Sequence, residues 1–441
     1  MLSDLIAALA TPPGRSALAV VRLSGPGAFQ LAQRILQWPA DQPPPHRTPQ
    51  LATAFDQSGE PLDRLLVTFF PAPATYTGED LVEFSCHGGL LVPGRLTAAL
   101  FAGGARPASA GEFTRRAVLN GKIDLLQAEA VGDLIDATTA AQGRGAIRQL
   151  HGGLSRQIGS LRSSLTDLLA LLSYEIDFPE EDDGPLDGAA IRASLAQNTR
   201  AVEALLETAA IGERVRRGAL VVLAGRPNAG KSSLFNALLG SERALVAEMP
   251  GTTRDTIEAD LDLAGWPVRL ADTAGLRPTV DPIELMGIEV SRRYLAAADL
   301  VLLCVEAGRA LDQAEDVLAA EARTLVVRTK GDLAPAVGLA VSAVTRAGLA
   351  DLTAALVSRL FDAGTDQGDL EPMLTRERHR VALETAHAAM LEARPHLEGK
   401  GDVVLGAHHL RRAVAALDEL IGTIDIEEVF GAIFSRFCVG K

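Results

Sequence analysis

The sequence predicts a multidomain protein with an N-terminal α/β domain, a discontinuous all-α domain, and a second α/β domain inserted into the helical one. Three observations support this fold class. A glycine-rich loop separates an apolar strand-like run at 219–223 from a helix-like run at 234–239. Apolar residues recur at helical spacing on both sides of that block, at 150–172 and 376–397. Residues 1–118 instead mix short strand-like and helical runs.

The expected domain boundaries follow the changes in this pattern. The N-terminal α/β domain is expected at 1–118 and the first part of the helical domain at 119–214. The inserted α/β domain is expected at 215–362, and the second part of the helical domain at 363–441. Because an insertion leaves the flanking chain close together, the two helical parts are expected to pack against each other. Strand-like runs in the first domain lie at 17–23, 65–70 and 81–85.

Composition narrows the class of protein. Of the 441 residues, 47% are hydrophobic, which is enough for several buried cores. The chain lacks a run of 18 apolar residues and a signal-peptide start, so neither a membrane span nor secretion is expected. Three distant cysteines favour a reducing, cytoplasmic location. A net charge of −14 argues against nucleic acid binding over the whole surface, while a local basic patch or a basic partner stays compatible.

The glycine-rich loop matches the phosphate-binding pattern of glycine, four residues, then Gly-Lys-Ser. Its glycines let backbone N–H groups surround phosphate oxygens, and the following helix adds the positive end of its dipole. Lys231 is expected to reach the β- and γ-phosphates, and Ser232 to ligate Mg²⁺. The expected nucleotide contacts here are Asn228, Ala229, Gly230, Lys231, Ser232 and Ser233.

Two elements downstream of the loop are expected to complete the part of the nucleotide site that binds the phosphates and Mg²⁺. The run at 272–275 is a DxxG element, whose aspartate reaches Mg²⁺ through water and whose glycine N–H senses the γ-phosphate. A polar switch segment precedes it, and Thr253 is its expected second hydroxyl ligand of Mg²⁺. The expected contacts in these elements are Thr252, Thr253, Asp272, Thr273, Ala274 and Gly275.

Two sequence elements that resemble base-recognition motifs predict that the nucleotide is GTP. The run at 329–332 resembles the guanine motif NKxD with Thr in place of Asn, which removes one contact. The Asp332 carboxylate can accept from guanine N1–H and N2–H₂, a donor pair that adenine lacks. A last element at 342–343 is expected to offer a backbone N–H to guanine O6. The expected base contacts are Thr329, Lys330, Asp332, Ser342 and Ala343.

The position after the DxxG element predicts an unusual route to hydrolysis. Ras-like GTPases carry there a Gln that orients the attacking water, whereas Leu276 cannot hold water. Because the chain implies no partner-supplied arginine, we expect a monovalent cation beside Asn228 to neutralise charge instead. The downstream candidates for the group that holds the water are Arg277, Asp281, Glu284 and Glu289.

Over its full length the chain resembles the MnmE (TrmE) family of tRNA-modification GTPases. The resemblance rests on the nucleotide-binding elements, on stretches before them, and on the terminal Phe-Cys-Val-Gly-Lys at 437–441. The matching stretches are 10–15, 76–80 with Glu83, 87–89, 111–113, 120–125, 127–130, 251–255 and 272–277.

The resemblance implies a fold and an activity. The N-terminal domain would dimerise and bind tetrahydrofolate, and the insertion would be a Ras-like P-loop GTPase domain. GTP hydrolysis would be activated when two GTPase domains of a homodimer meet around K⁺. With an FAD-dependent MnmG-type partner, in a hetero-oligomer that contacts tRNA largely through that partner, the protein would modify certain tRNAs. An aminomethyl or carboxymethylaminomethyl group would be placed on C5 of the wobble uridine, using one carbon from 5-formyl- or methylene-tetrahydrofolate.

The resemblance also implies residue roles. Glu284 would hold the attacking water that Leu276 cannot hold. The implied K⁺ ligands are Asn228, Ala247, Met249 and Thr252. The implied folate-site residues are Arg22, Glu83, Lys122 and Lys441.

Cys438 has two interpretations. From the pattern alone, it lies at the edge of an apolar helical stripe and would serve packing, although Arg436 and Lys441 would lower the pKa of its thiol. The resemblance instead implies a functional cysteine.

Two other classes of protein share the GTP-binding motifs. A GTP-dependent ribosome-assembly or switch protein would carry a basic RNA-binding module, and this acidic sequence has none. A GTPase of a membrane process would carry an amphipathic or apolar anchor, which the sequence also lacks.

Overall fold

A computed structural model describes residues 4–39, 41–177, 188–241, 243–244, 258–272, 293–361, 373–398 and 401–422, with Ile433, Phe437 and Gly440. The chain divides into two compact units. One comprises Met1–Gly132 and Ile421–Lys441, and the other comprises the chain between them. The last residues therefore group with the N-terminal unit, although their helical pattern had suggested the helical domain. The boundaries at 118, 214 and 362 stay predictions.

The first unit is built on a sheet of six described strands. Its strands are β1 (Ile6–Leu9), β2 (Leu18–Ser24), β3 (Gln50–Phe55), β4 (Pro61–Phe70), β5 (Leu81–His87) and β6 (Arg106–Pro107). Its helices are α1 (Ala28–Ile35), α2 (Val92–Ala102), α3 (Glu112–Leu119) and α4 (Leu125–Asp136), the last of which continues beyond the unit. The strand order is β3-β4-β5-β2-β1-β6, and only β1 and β6 are a parallel pair.

Alternation of buried residues along these strands explains their packing. Val21, Val67 and Phe84 are fully buried and form one core with Leu31 of α1 and Leu96 of α2. The strand-like runs expected at 17–23, 65–70 and 81–85 all lie within or next to observed strands. This sheet positions the Arg22 and Glu83 side chains described below.

The second unit contains a sheet of six described strands and most of the long helices. Its strands are β7 (Ala219–Ala224), β8 (Arg243–Ala244), β9 (Glu258–Leu263), β10 (Trp266–Asp272), β11 (Leu300–Glu306) and β12 (Thr324–Thr329). The helices before β7 are α5 (Ala140–Leu150), α6 (Gly153–Asp177), α7 (Gly188–Glu207) and α8 (Ala209–Arg217). The later helices are α9 (Lys231–Ser241), α10 (Gln313–Ala319), α11 (Leu349–Phe361), α12 (Glu377–Ala393), a 3₁₀ turn (Arg394–Leu397) and α13 (Val403–Ile421).

The topology of this sheet places the nucleotide motifs at one edge. The order is β12-β11-β7-β10-β9-β8. The first four strands are parallel to one another, while β9 pairs antiparallel with both of its neighbours, β10 and β8. All six residues of β7 are buried, as expected for a central strand covered on both faces. The carboxyl ends of β7, β10 and β12 therefore meet at one edge, where open α/β sheets bind ligands. Among the described helices, none is long and apolar enough to cross a lipid bilayer.

Candidate functional site

The phosphate-binding loop runs from the end of β7 to the start of α9, as the sequence predicts. Gly225 has φ +135°, and a Cβ there would lie 2.3 Å from the carbonyl oxygen of Cys304, so only glycine fits. Gly230 has φ +85° and Asn228 has φ 63°, so the backbone turns through two left-handed residues. Asn228 is exposed at the tip of the loop, while Ala229 beside it is buried.

Lys231 and Ser232 begin α9 and face the predicted phosphate position. The Lys231 ammonium donates to the carbonyl oxygens of Gly225 and Arg226, both at 2.8 Å, although the side chain is largely buried. These bonds hold the ammonium inside the loop. The Ser232 hydroxyl donates a 2.8 Å hydrogen bond to Asp272 at the end of β10. Two residues predicted as Mg²⁺-site groups are thus brought together.

This pair fits the chemistry of a Mg²⁺ site. Mg²⁺ prefers oxygen ligands and commonly takes one or two protein oxygens together with substrate phosphates and water. The Ser232 hydroxyl and the buried Asp272 carboxylate supply oxygens of that kind. The donors are held by α9 and β10, which are packed elements rather than free loops.

The base-recognition run begins at the end of β12. The buried Thr329 hydroxyl donates a 2.6 Å hydrogen bond to the Ala229 carbonyl oxygen, so its contact is with the phosphate loop. Lys330 has φ 56°, and its ammonium lies 3.0 Å from Glu306. Asp332 is exposed, as a group that reads a ligand must be.

The last element lies beside this run. Gly331 N–H donates to the Val341 carbonyl oxygen at 2.9 Å, which draws 341–343 toward the end of β12. Ser342 is buried, and its hydroxyl accepts a 3.1 Å hydrogen bond from Thr345 N–H. The run at 339–341 forms a single bridge, Arg328 to Ala340, rather than a strand. Ser342 therefore shapes a turn, and Ala343 beside it is partly exposed.

Arg226 anchors the phosphate loop through a contact that no motif in the sequence predicts. Arg226 Nε donates a 2.6 Å hydrogen bond to Asp312. Asp312 is the N-cap of α10 and forms a capping box with Glu315. The pKa of Asp312 is lowered, mainly because its carboxylate accepts from the Glu315 N–H. Burial opposes this shift, and the nearby Arg226 lowers the pKa further. The spacing of Asp312 and Glu315 could have predicted the helix start but not its contact with the loop.

The predicted folate residues gather in the first unit. Arg22 on β2 lies directly opposite Glu83 on β5, and Arg22 Nε donates to the Glu83 carboxylate at 2.8 Å. Both side chains are about a quarter exposed, at 25% and 28%. Arg22 Nη1 also donates to the Gly440 carbonyl oxygen at 3.4 Å. The C-terminal motif therefore reaches the Arg22–Glu83 pair.

Tyr76 and Lys122 lie in the same unit. Tyr76 donates to or accepts from the Thr114 hydroxyl at 2.9 Å. Burial raises the pKa of Tyr76, against that hydrogen bond and the nearby Arg22 charge. Lys122 is exposed, and its side chain packs against Gly78, where a Cβ would lie 3.3 Å from Lys122 Cγ. Tyr76 belongs to the matching stretch at 76–80, but the sequence did not predict it as a residue of this site.

The C-terminus is fixed by close backbone packing. Gly440 has φ +99°, and a Cβ there would lie 2.4 Å from the Leu9 carbonyl oxygen. Ile433 and Phe437 pack against Leu125 and Ala128 of α4. The remaining predicted site residues lie outside the described residues: Ala247, Met249, Thr252, Thr253, Thr273, Ala274, Gly275, Glu284, Cys438 and Lys441.

Two other cysteines are structural. Cys86 and Cys304 are fully buried strand residues. Burial raises the pKa of Cys86 to about 11 and that of Cys304 to about 12, so both stay protonated thiols.

Comparison with known proteins covers the whole chain. Residues 125–438 match the family model of the MnmE helical domain, and residues 5–122 match that of the GTP-binding protein TrmE N-terminus. The chain is 44% identical over 451 residues to the tRNA modification GTPase MnmE of Methylobacterium radiotolerans, covering 100% of this chain and 99% of that protein. It is 45% identical over 452 residues to the tRNA modification GTPase MnmE of Thermus thermophilus, covering 100% and 99%.

These matches agree with the observed architecture. The predicted fold class is confirmed, with an N-terminal α/β domain, a discontinuous helical domain and a Ras-like P-loop domain inserted in it. One family model spans more than half of the chain, and the relatives match from end to end. The chain therefore belongs to the MnmE (TrmE) family, whose curated members are tRNA modification GTPases.

Proposed function

We propose that this protein is a K⁺-activated GTP hydrolase that takes part in tRNA modification. With an FAD-dependent MnmG-type partner, it modifies C5 of the wobble uridine of certain tRNAs to aminomethyl- or carboxymethylaminomethyluridine. The one-carbon unit comes from 5-formyl- or methylene-tetrahydrofolate. The protein acts as a cytoplasmic homodimer within a hetero-oligomer, and the partner makes most of the tRNA contacts.

The observation that carries the proposal is the 2.8 Å hydrogen bond between Ser232 and Asp272. It joins the end of the phosphate loop to the DxxG element, the two parts that hold the phosphates and Mg²⁺ in a GTPase. Mg²⁺ bound there would neutralise the charge that develops on the transferred phosphoryl group. Lys231 binds the β- and γ-phosphates, and the Asp332 carboxylate selects guanine by accepting from its N1–H and N2–H₂ groups.

K⁺ activation is supported by Asn228. Asn228 is exposed in the phosphate loop, and its side-chain amide oxygen is a ligand of the kind that a monovalent cation takes. Bound beside it, K⁺ would supply the positive charge that an arginine finger supplies elsewhere. The proposed further ligands are Ala247, Met249 and Thr252. Glu284 orients the attacking water, because Leu276 has no polar group.

Folate binding is supported by the Arg22–Glu83 pair and by the exposed Lys122 in the same unit. A folate carries a glutamate tail, which cations bind, and a pterin edge, which a carboxylate reads as hydrogen-bond donors. Arg22 and Glu83 are partly exposed and face each other across two strands. The contact of Arg22 with the carbonyl oxygen of Gly440 joins this pair to the C-terminal motif.

Nucleoside mass spectrometry tests the proposal. We expect tRNA from cells lacking this protein to lose the C5-modified wobble uridine, and wild-type protein to restore it. Asp272→Asn should fail to restore it because the carboxylate beside Ser232 is lost. Asp316→Asn, the same change on the exposed face of α10, should restore it fully. Unchanged wobble uridine in the deletion strain would contradict the proposed reaction.

A further inference from the structure

Strands β7 and β10 carry the two halves of the phosphate site. They are parallel neighbours, paired from Val268 with Ala219 to Asp272 with Leu223. The phosphate loop leaves the end of β7, and Asp272 ends β10. The 2.8 Å bond between Ser232 and Asp272 therefore depends on how the two strands are placed along their common axis.

The first turn of α5 contacts the starting end of β10. Ala141 N–H donates a 3.0 Å hydrogen bond to the carbonyl oxygen of Gly265, the residue before Trp266. The Ala141 side chain is fully buried in the same core as Trp266 and Phe361. Those two rings stack with centroids 4.5 Å apart. The turn that leads into β10 is thus fixed by a helix that precedes the GTPase domain in sequence.

The next residue, Gln142, contacts the starting end of β7. Its Nε2 donates a 3.0 Å hydrogen bond to the Arg216 carbonyl oxygen in α8, the helix that leads through Gly218 into β7. Its Oε1 accepts from the N–H groups of Thr138 and Thr139, at 3.0 and 3.1 Å. The side-chain amide of Gln142 therefore completes the capping box of α5 and also bonds the end of α8, just before β7.

We infer that the first turn of α5 sets the relative position of β7 and β10, and that Gln142 is a positioning residue for GTP hydrolysis. This inference rests on the proposed GTPase function. Adjacent residues 141 and 142 hold the starting ends of both strands, and the opposite ends carry the groups that bind phosphate and Mg²⁺. Paired strands slide as units, so a displacement at one end appears at the other. Small misplacements of catalytic groups are known to cost large factors in rate.

Gln142→Glu tests the inference selectively. A glutamate at this position can still accept from Thr138 and Thr139, because capping boxes use Glu as well as Gln. It has no N–H to donate to Arg216, and its charge faces that carbonyl oxygen. Two controls match it. Gln157→Glu makes the same change at an exposed site on α6, and Asn198→Ala removes buried hydrogen bonds to Ser164 and Ser194 elsewhere in the helices.

The measurements are GTP turnover, affinity for a fluorescent GTP analogue as Mg²⁺ is titrated, and thermal unfolding. For Gln142→Glu we expect kcat to fall at least about fivefold while KM changes less than about twofold. The Mg²⁺ concentration at half-maximal tight binding should rise at least about threefold. Gln157→Glu should match wild type, and Asn198→Ala should unfold at lower temperature with normal kcat.

The inference is overturned if Gln142→Glu turns over GTP like Gln157→Glu, or if Asn198→Ala loses kcat and Mg²⁺ affinity as Gln142→Glu does. The second result would assign the loss to stability alone. A wild-type protein without GTP turnover in the same assay would contradict the proposed function itself.

Discussion

The Thr329 hydroxyl donates a 2.6 Å hydrogen bond to the Ala229 carbonyl oxygen in the phosphate loop. Thr329 stands where the guanine motif usually has Asn, and this bond joins the base-recognition strand to the phosphate loop. The Cβ of Thr329 also lies 3.3 Å from the position that a Cβ on Gly230 would take, so the end of β12 packs closely against the phosphate loop. With Thr in place of Asn, a hydrogen bond therefore connects the base-recognition run to the phosphate loop.

Thr329→Val removes this hydrogen bond while keeping the side-chain shape. We expect nucleotide affinity to fall by about 1 kcal/mol, the usual value of one buried hydrogen bond, which is roughly a fivefold increase in Kd. Stopped-flow release of a fluorescent GDP measures it. Thr324→Val is the matched control, because Thr324 is a buried residue of the same strand whose hydroxyl has no hydrogen-bond partner among the described residues. Equal GDP release from both variants would show that the Thr329 bond is without effect.

An ionic cluster in the first unit surrounds the buried Arg116. Arg116 is 1% exposed, and its guanidinium donates to Glu79, Asp4 and Glu112. Arg106 donates to both Glu112 oxygens, at 2.6 Å to the one that Arg116 also contacts and at 2.8 Å to the other. Burial, the largest influence, raises the pKa of Glu112, but Arg106, the Ser109 N–H and Arg116 together lower it below its usual value. Glu112 is therefore more acidic in the folded protein than in the unfolded chain.

Glu112→Gln should destabilise the first unit by roughly 2 kcal/mol at neutral pH, because it removes charge-assisted hydrogen bonds to two arginines. A carboxylate with a lowered folded pKa adds stability above its unfolded pKa and loses it as the pH falls through the folded value. The difference in unfolding free energy between wild type and variant should thus persist at pH 7 and shrink below about pH 4. Urea unfolding at several pH values measures it, and a difference independent of pH would contradict the assignment.

Cys438→Ser tests whether the terminal cysteine serves chemistry or packing. The neighbouring Gly440 contacts Arg22 and Leu9 of the first unit, whereas the phosphate loop belongs to the second. We therefore expect tRNA modification to fail while GTP turnover and thermal stability stay near wild type. Wobble-uridine analysis beside a GTPase assay measures both. Normal modification by the variant would return Cys438 to a packing role.

The strands that carry the site could be predicted because each is an apolar run followed by polar motif residues. β7 ends one residue after the predicted run at 219–223, β10 ends at the first residue of the DxxG element, and β12 ends at the first residue of the base-recognition run. The approach of Ser232 to Asp272 also followed, since the carboxyl ends of neighbouring parallel strands share one edge. Motif spacing therefore predicted that these two residues lie close together, while their binding of phosphate and Mg²⁺ stays a prediction.

Contacts between distant residues could not be predicted in this way. Arg226 and Asp312 are 86 residues apart, and Thr329 and Ala229 are 100 apart. Neither pair belongs to a local pattern, because a side chain at the end of one element can face any neighbour that the topology brings near. The grouping of Gly440 with Leu9 depends likewise on the path of the chain, while helical periodicity near the C-terminus indicated only local structure.

The dependence of GTP turnover on the monovalent cation tests the central claim most directly. Leu276 cannot hold the attacking water, and the proposed monovalent cation binds beside the exposed Asn228 of the phosphate loop. We expect kcat in K⁺ to exceed kcat in Na⁺ and in Cs⁺ at equal ionic strength by at least about tenfold, because a site of fixed oxygens fits one ionic radius. Asn228→Ala should reduce turnover in K⁺ to the level in Na⁺. Equal kcat in all three cations would contradict the account.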